Sequence, residues 1–238
     1  RYPVKSMAGE LLDHADLGWH GLAGDRRLAL RRIHDRTGFP WLTASKLPDL
    51  ILHVPFRMGG GEGADLPTHV RTPDGREFAL FGRELAEEIG RRHGSPVEMM
   101  HLDRGIFDEA SLSVISSATV KQVATLASQP PDVRRYRPNV VIASRQSVPF
   151  EEDEWVGGVL TFGDGGAGPE VIVTNYDERC SMVTFDPDTA HANPEVLKVI
   201  ARTRHNKAGV YGAVARRGRI AVGQAVFFEP AAKRRNQA

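Results

Sequence analysis

The sequence predicts an α+β protein that is mainly β: a mixed β-barrel core with peripheral helices, plus a smaller N-terminal β-rich domain. Three observations carry that expectation. Short alternating or β-branched runs outnumber helical patterns. Gly, Pro, Asn and Asp punctuate them at close intervals. Strands and helices do not alternate in the βαβ manner of a doubly wound sheet. A boundary near Pro96 is expected to divide residues 1–95 from a core of residues 96–230, leaving 231–238 as a tail.

Composition narrows the possibilities. A chain of 238 residues can bury roughly 70% of its unfolded surface without covalent staples. Its single cysteine, Cys180, excludes an internal disulfide, a structural zinc site of several thiolates and an all-cysteine iron–sulfur cluster within these residues. Apolar runs fall far short of a membrane span and the start lacks an apolar signal region, so a soluble, cytoplasmic protein with no membrane partner is expected. The 31 basic residues nearly balance 30 acidic ones, which gives no argument for nucleic acid. Arginine far outnumbers lysine, and arginine suits planar or phosphorylated anions.

The first half is read element by element. YPVKSMAGE, Tyr2 to Glu10, is an apolar start followed by Lys5 and Ser6, a cation and a hydroxyl that could hold a phosphate oxygen or simply form a solvated loop. The sequence opens at Arg1, so residues completing this strand are expected to precede it. In GLAGDRRLAL, Gly24-Asp25 turns the chain and Arg26 opens an alternating strand with Leu28 and Leu30 on one face. A turn, Trp41 and a short Ala44 to Leu47 piece lead to a strand at Ile51 to Val54. Met58 to Asp65 reads as a flexible loop without the Gly-Lys-Ser/Thr of a phosphate loop. His69 to Thr72 and Arg76 to Leu80 fit a hairpin around Pro73-Asp74-Gly75. Glu84 to His93 reads as a helix with Leu85 and Ile89 on one face and Gly94 at the stop.

The second half repeats the procedure. Phe107 to Ala127 predicts a strand ending at Ile115, the pair Ser116-Ser117, then a helix whose buried stripe is Val120, Val123, Ala124 and Ala127. The serines can cap the helix or meet an anion there. YRPNVVIA places Arg137 and Pro138 before a strand that begins at Asn139. Arg137 could meet a ligand or sit ion-paired at the surface. Glu151 to Glu154 reads as a solvated acidic face. Trp155 to Phe162 is a predicted strand, and Gly163 to Pro169 turns back from it. Asn193-Pro194-Glu195 opens a helix with Val196, Val199 and Ile200 inward, ending near Arg202, Arg204 and His205. Val210 to Ala215 and Arg219 to Phe228 suggest a hairpin over Arg217-Gly218, with Gly223 a bend or bulge.

The lone cysteine organises the remainder. β-like runs at Val171 to Thr174 and Met182 to Phe185 place Cys180 in a short loop between strands. Arg179 beside it favours thiolate, the form that attacks electrophiles or binds a soft metal. A buried cysteine acting as a small hydrophobe is the plainer alternative.

The segments YPVKSMAGE, GLAGDRR, the serine pair after a strand, YRPNVVI, DERCSMVTFDPDTA, RTRHNKAGVYG and GRIAVGQAV occur in the order seen in MOSC domain proteins. The chain thus resembles the molybdenum cofactor sulfurase C-terminal family, including the amidoxime-reducing components, with an N-terminal MOSC β-barrel part before the core. The resemblance implies that Cys180 ligates molybdenum, or receives sulfur. It implies that Lys5, Ser6 and Arg26, with Ser116, Ser117 and Arg137, surround the phosphate and ring of a molybdopterin. Asn139 and Arg204 match polar positions of their motifs. Tyr136 stands where phenylalanine is common.

Two activities follow as expectations from that resemblance. The first is a molybdenum reductase of N-hydroxylated small molecules, supplied with electrons by an external electron-transfer protein. These residues show neither a ferredoxin-like extension nor a Rossmann fingerprint of their own. The second is a sulfur carrier or cofactor-binding module using a Cys180 persulfide. Pyridoxal phosphate binding is associated with the family, but no pyridoxal-type desulfurase segment accompanies the chain. The nine histidines show no His-x-His or His-Glu-x-x-His spacing, and Gly-x-Ser-x-Gly is absent, so rival zinc or serine-hydrolase readings fail.

Overall fold

The computed structural model describes residues 1–59, 66–163 and 166–231. Most of the expected loop at Met58 to Asp65, part of the turn at Gly163 to Pro169 and nearly all of the tail at 231–238 lie outside the described residues. In chain order the elements are β1 (His14–Gly18), β2 (Gly21–Leu22), β3 (Leu28–Arg32), β4 (Val54–Phe56), β5 (His69–Arg71), β6 (Glu77–Ala79), α1 (Arg83–His93) and β7 (Val97–His101). They continue with β8 (Leu112–Ser116), α2 (Ser117–Leu126), β9 (Val140–Ile142), β10 (Val159–Phe162), β11 (Glu170–Glu178), α3 (Pro194–Arg204), β12 (Lys207–Arg216), β13 (Gly218–Ala221) and β14 (Val226–Glu229). The fold class is the expected one, α+β and mainly β. Among the described residues, no helix is long and apolar enough to cross a membrane.

The chain forms two compact units that interleave in sequence rather than meeting at one boundary. The first comprises Arg1–Glu10, Gly24–Ile106 and Phe185–Ala192; the second comprises Leu11–Ala23, Phe107–Thr184 and 193–231.

In the first unit β3 pairs antiparallel with β7, and Val4 joins Leu28 through a parallel bridge. β4, β5 and β6 form a small antiparallel meander, the expected hairpin with one more strand. The helix signal of the sequence is realised in α1. Leu85 and Ile89, one turn apart, enter a core with Val4, Met7, Leu28, Leu30, Leu42, Leu50 and Val70. Gly94, in the left-handed region at φ 77, donates its N–H to the Gly90 carbonyl and ends the helix. The expected strand at Ile51 to Val54 is corrected: Pro48–Leu52 is a 3₁₀ turn and the strand begins at Val54. The proline at the turn's start cannot donate to a ladder, which favours the turn.

Two buried polar groups of this unit have clear electrostatic consequences. Glu88 is 3% exposed and meets Arg76, Arg91 and Arg92, each at 2.9 Å. Hydrogen bonds from Arg76 and Arg92 lower its pKa to about 2. His53 is fully buried, and its Nδ1 lies 2.9 Å from the Asp49 carbonyl. That oxygen can only accept, so Nδ1 carries the proton. Burial lowers the imidazole pKa, against smaller opposing effects of Asp49 and its carbonyl and a reinforcing one from Arg92.

A depressed histidine pKa means that the unfolded chain binds the extra proton first. The stability due to neutral His53 is present above about pH 6.5, the ordinary histidine value, and is lost as pH falls below it. The urea midpoint is therefore expected to drop between pH 7 and pH 5. His53→Asn, whose amide N–H can replace the Nδ1 donor, should flatten that drop. Equal slopes in both proteins would assign the acid sensitivity to other groups.

The second unit is built on a six-stranded sheet in the order β14-β10-β11-β12-β8-β9, in which only β8 and β9 run parallel. It curls as a half-barrel. A smaller antiparallel sheet, β13-β1-β2, belongs to the same unit. Alternation along β8 explains how one strand serves two cores. Leu112 and Val114 pack with Leu160, Phe162, Val171, Val173 and Val210. Ile115 turns the other way, onto Val120 and Val123 of α2 and Val196, Val199 and Ile200 of α3.

Three further expectations are corrected here. Met182 to Phe185 is not a strand, because Ser181–Thr184 forms a 3₁₀ turn in which Val183 donates to the Cys180 carbonyl at 3.3 Å. Trp155 belongs to a 3₁₀ turn, Glu151–Trp155, and the strand starts at Val159. β12 and β13 do not pair as a hairpin, since β13 leaves to pair with β1 while β12 lies between β11 and β8. Gly223, at φ 79, is the expected bend, and β14 beyond it returns to pair with β10.

Candidate functional site

The sequence-marked residues fall into three groups, one in the first unit and two in the second. In the first unit, Lys5, Ser6 and Arg26 are brought together by the backbone. Arg26 N–H donates to the Tyr2 carbonyl at 2.7 Å, Leu28 N–H to Pro3 at 3.1 Å and Lys5 N–H to Leu28 at 2.8 Å. Lys5 and Ser6 are buried. The Lys5 ammonium lies 5.5 Å from the Phe39 ring centre, and the Arg26 guanidinium 5.2 Å from that of Tyr2. Arg26 also pairs at 2.5 Å with Asp25, a fully buried carboxylate that accepts the Tyr2 N–H at 2.7 Å.

Ser6 at φ 66 and Arg26 at φ 50 both occupy the left-handed region. For a residue with a side chain this costs roughly 1–2 kcal/mol, and such positions concentrate at ligand clamps and switches.

The second group contains Ser116, Ser117 and Arg204. Ser116 caps α2: its Oγ accepts the Thr119 N–H at 3.1 Å, and its own N–H donates to Glu152 Oε1 at 3.2 Å. Thr119 donates its hydroxyl to Glu152 Oε2 at 2.9 Å. Ser117 opens the helix beside it, half-buried. Arg204, the last residue of α3, pairs with Asp153 and lies 4.4 Å from the Phe150 ring centre. The acidic stretch is therefore not a solvated face. Glu152 is fully buried because the start of α2 needs an acceptor, and Asp153 holds Arg204. Two carboxylates, Glu152 and Asp153, thus accept from the donors of this group.

The third group holds Cys180, Arg137 and Asn139. Cys180 is exposed, which excludes a buried hydrophobic role for it. Asn139 ties the start of β9 to β8, accepting the Ser113 N–H on its side-chain oxygen at 3.0 Å and donating its backbone N–H to Ser113 at 2.8 Å. Ser113 lies three residues before Ser116 on β8, about 10 Å along a strand, so Asn139 and the serine pair are held apart. Arg137 has φ 52, unusual for a residue preceding proline, which is normally pushed to extended backbone.

What joins this third group is a set of residues around Arg179, the neighbour of Cys180 in sequence. Asp177, at the end of β11, and Arg179 just beyond it are both buried and pair at 2.8 Å. Ser113 donates its hydroxyl to the same Asp177 oxygen at 2.8 Å. Arg179 Nε donates to the Ala208 carbonyl at 2.6 Å, and Nη1 to the Tyr136 carbonyl at 2.8 Å. The guanidinium also lies 5.4 Å from the Tyr136 ring centre. Burial pushes the Tyr136 hydroxyl up to about 12, so it stays neutral. The expectation that Arg179 acts as a free cation beside Cys180 is thus corrected, since Asp177 neutralises it and two carbonyls fix it. Opposite charges at alternate positions of a strand end, Asp-x-Arg, were the available signal.

Within the second unit, the exposed Cys180 thiol is a donor type that suits a soft metal. Among the described residues, no group of three or more His, Cys, Asp or Glu is placed to hold a metal ion.

A sequence model of the MOSC domain matches residues 90–227. No curated protein matches the chain. Among solved structures, the YuaD protein from Bacillus subtilis aligns over 95% of this chain and 92% of its own, at 13% identity and a TM-score of 0.48. YiiM from Geobacillus stearothermophilus aligns over 50% of this chain and 54% of its own, at 19% identity and a TM-score of 0.39.

Proposed function

Because the chain belongs to the MOSC domain family, which is associated with molybdenum cofactor binding, we propose that it is a molybdopterin-dependent oxidoreductase that reduces N-hydroxylated small molecules. The observation that carries this reading is the exposed Cys180 thiol on a loop whose preceding residue is fixed to the carbonyl before Arg137. A thiolate is a suitable ligand for a soft metal–dithiolene centre. When bound, the cofactor would supply two-electron oxo-transfer chemistry with one metal position left open.

The protein's own residues do the rest. Cys180 would be its metal ligand and Arg137, in the same unit, would meet the cofactor by charge and hydrogen bond; Lys5, Ser6 and Arg26 are phosphate-binding candidates through the family resemblance. Ser116, Ser117, Asn139 and Arg204 would act through the framework, given the partners described for Ser116, Asn139 and Arg204. Electrons would arrive from an external electron-transfer protein, and a protein with one unpaired cysteine suits the reducing cytoplasm.

The test is metal analysis with molybdopterin detection after expression in a host that makes the cofactor. Wild type is expected to carry near-stoichiometric molybdenum and to reduce an amidoxime with a chemical reductant. Cys180→Ala should keep its fold and lose most of the metal and the turnover. Absence of molybdenum from wild type, together with a sulfane-sulfur adduct on Cys180, would replace this reading with the sulfur carrier.

A further inference from the structure

Arg179 has four partners in the second unit, on its own strand end and on two other segments. Its backbone N–H donates to the Asn206 carbonyl at 2.7 Å. Its guanidinium donates to Ala208 on β12 and to the Tyr136 carbonyl, and pairs with Asp177. Two observations show that the fold is arranged around this side chain. Gly209, at φ 90, has no Cβ, and one placed there would lie 2.8 Å from Arg179 Nη2. His205 and Asn206 are consecutive left-handed residues, at φ 52 and φ 66, and they deliver the Asn206 carbonyl to the Arg179 N–H. One of the two segments held by Arg179 carries Arg137, and Arg179's own segment carries Cys180.

We propose that Arg179 is the positioning residue of the cofactor site, clamping the Arg137 turn and the Cys180 loop in one geometry rather than tuning the thiol by its charge. The proposal rests on the cofactor reading above for its consequence, but not for its structural content. A guanidinium can serve two carbonyls and a carboxylate from one planar fork. A lysine ammonium keeps the charge but lacks that fork and span.

Arg179→Lys is therefore the discriminating variant, and it is read in two ways. In the cofactor-free protein, hydrogen exchange is followed at the amides of Arg137 and Val183, which bond to the Arg134 and Cys180 carbonyls. Both should exchange about tenfold faster or more in the variant, while the central amides of β11 and β12 hold their rates. In protein from a cofactor-competent host, molybdenum content should fall about tenfold, as for removal of a group that orients a ligand. The thiolate-to-molybdenum charge-transfer band of the remaining loaded fraction should shift, which a mere loss of stability would not cause.

Wild-type exchange at Arg137 and Val183, or full metal retention with an unshifted band, would overturn the proposal. If wild type itself carries no molybdopterin, the functional reading fails and the exchange result alone decides the positioning claim. Should Arg179→Lys not fold, Ser113→Ala removes the hydroxyl that holds Asp177 and should speed the same two amides to a smaller extent. No change there would likewise overturn it.

Discussion

Asp177→Asn is expected to lower the protein's stability by about 3 kcal/mol, the lower part of the range for removing one partner of a buried ion pair. The residue is 2% exposed and Arg179 is 9% exposed, so the guanidinium would be left charged with little access to water. Asparagine keeps the shape but loses the charge, and its amide nitrogen would face the Ser113 hydroxyl or the guanidinium as a second donor. The urea midpoint should fall with little change in slope. Adding Arg179→Met to the same chain should recover part of the loss, because it removes the stranded charge. A single-variant cost below about 1 kcal/mol would place the pair with exposed ion pairs, which contribute little.

Gly209→Ala is expected to cost about 3 kcal/mol, from two sources that can be separated. Its φ of 90 lies in the left-handed region, where alanine is worse than glycine by about 1–2 kcal/mol. The new methyl would also lie 2.8 Å from Arg179 Nη2 and 2.9 Å from the Val114 carbonyl, an overpacking worth about 1–3 kcal/mol. Val114 is fixed by its pairing with Val210, so the guanidinium must give way. Gly223→Ala is the control, with φ 79 but nothing within 4 Å of the added methyl. Its cost should be the backbone part alone. Molybdenum content should drop in Gly209→Ala and hold in Gly223→Ala; equal effects in the two would mean that displacement of Arg179 does not matter.

The elements that were legible in the sequence are those whose local chemistry is self-sufficient. Asn193-Pro194-Glu195 predicted α3, and the Asn193 side chain accepts the Glu195 N–H at 3.0 Å. The strand, serine pair and helix around Ser116 were legible for the same reason, as was the Cys180 loop after β11. Elements defined by partners elsewhere were not. β1 has one buried residue in five, Leu17, and so no alternating signal; its pairing with β13 makes it a strand. β7 follows Pro96 and looked like the opening of a new domain, yet it completes the sheet of β3. The SMVTF run has β-forming composition, but the Cys180 carbonyl captures Val183 and winds it into a turn.

The candidate site shows the same division. Residue types at the site could be read, including the thiol, the cations and the hydroxyls. Whether a given side chain was available could not. The carboxylate partners of Arg204 and Ser116, Asp153 and Glu152, were not legible, because a run of four acids gives no hint that its second member is fully buried. Arg179 posed the opposite problem, since its proximity to Cys180 in sequence suggested a charge effect while its long side chain acts on backbone far from it in sequence.

The interleaving of the two units bears on how the protein is made. β1 leaves the ribosome long before its partner β13, and the first unit draws on Phe185–Ala192 as well as its early residues. Neither unit can close while the chain is still short, so folding is weighted toward late, long-range contacts and should be slow. Until synthesis has passed residue 221, β1 is paired only with β2 and its other edge has no mate, and holdase chaperones that cover nascent strands would have their greatest effect in that interval. Gene fragments cut anywhere within Leu11–Ala192 would leave both units incomplete. Two such fragments co-expressed should find each other more readily than either folds alone.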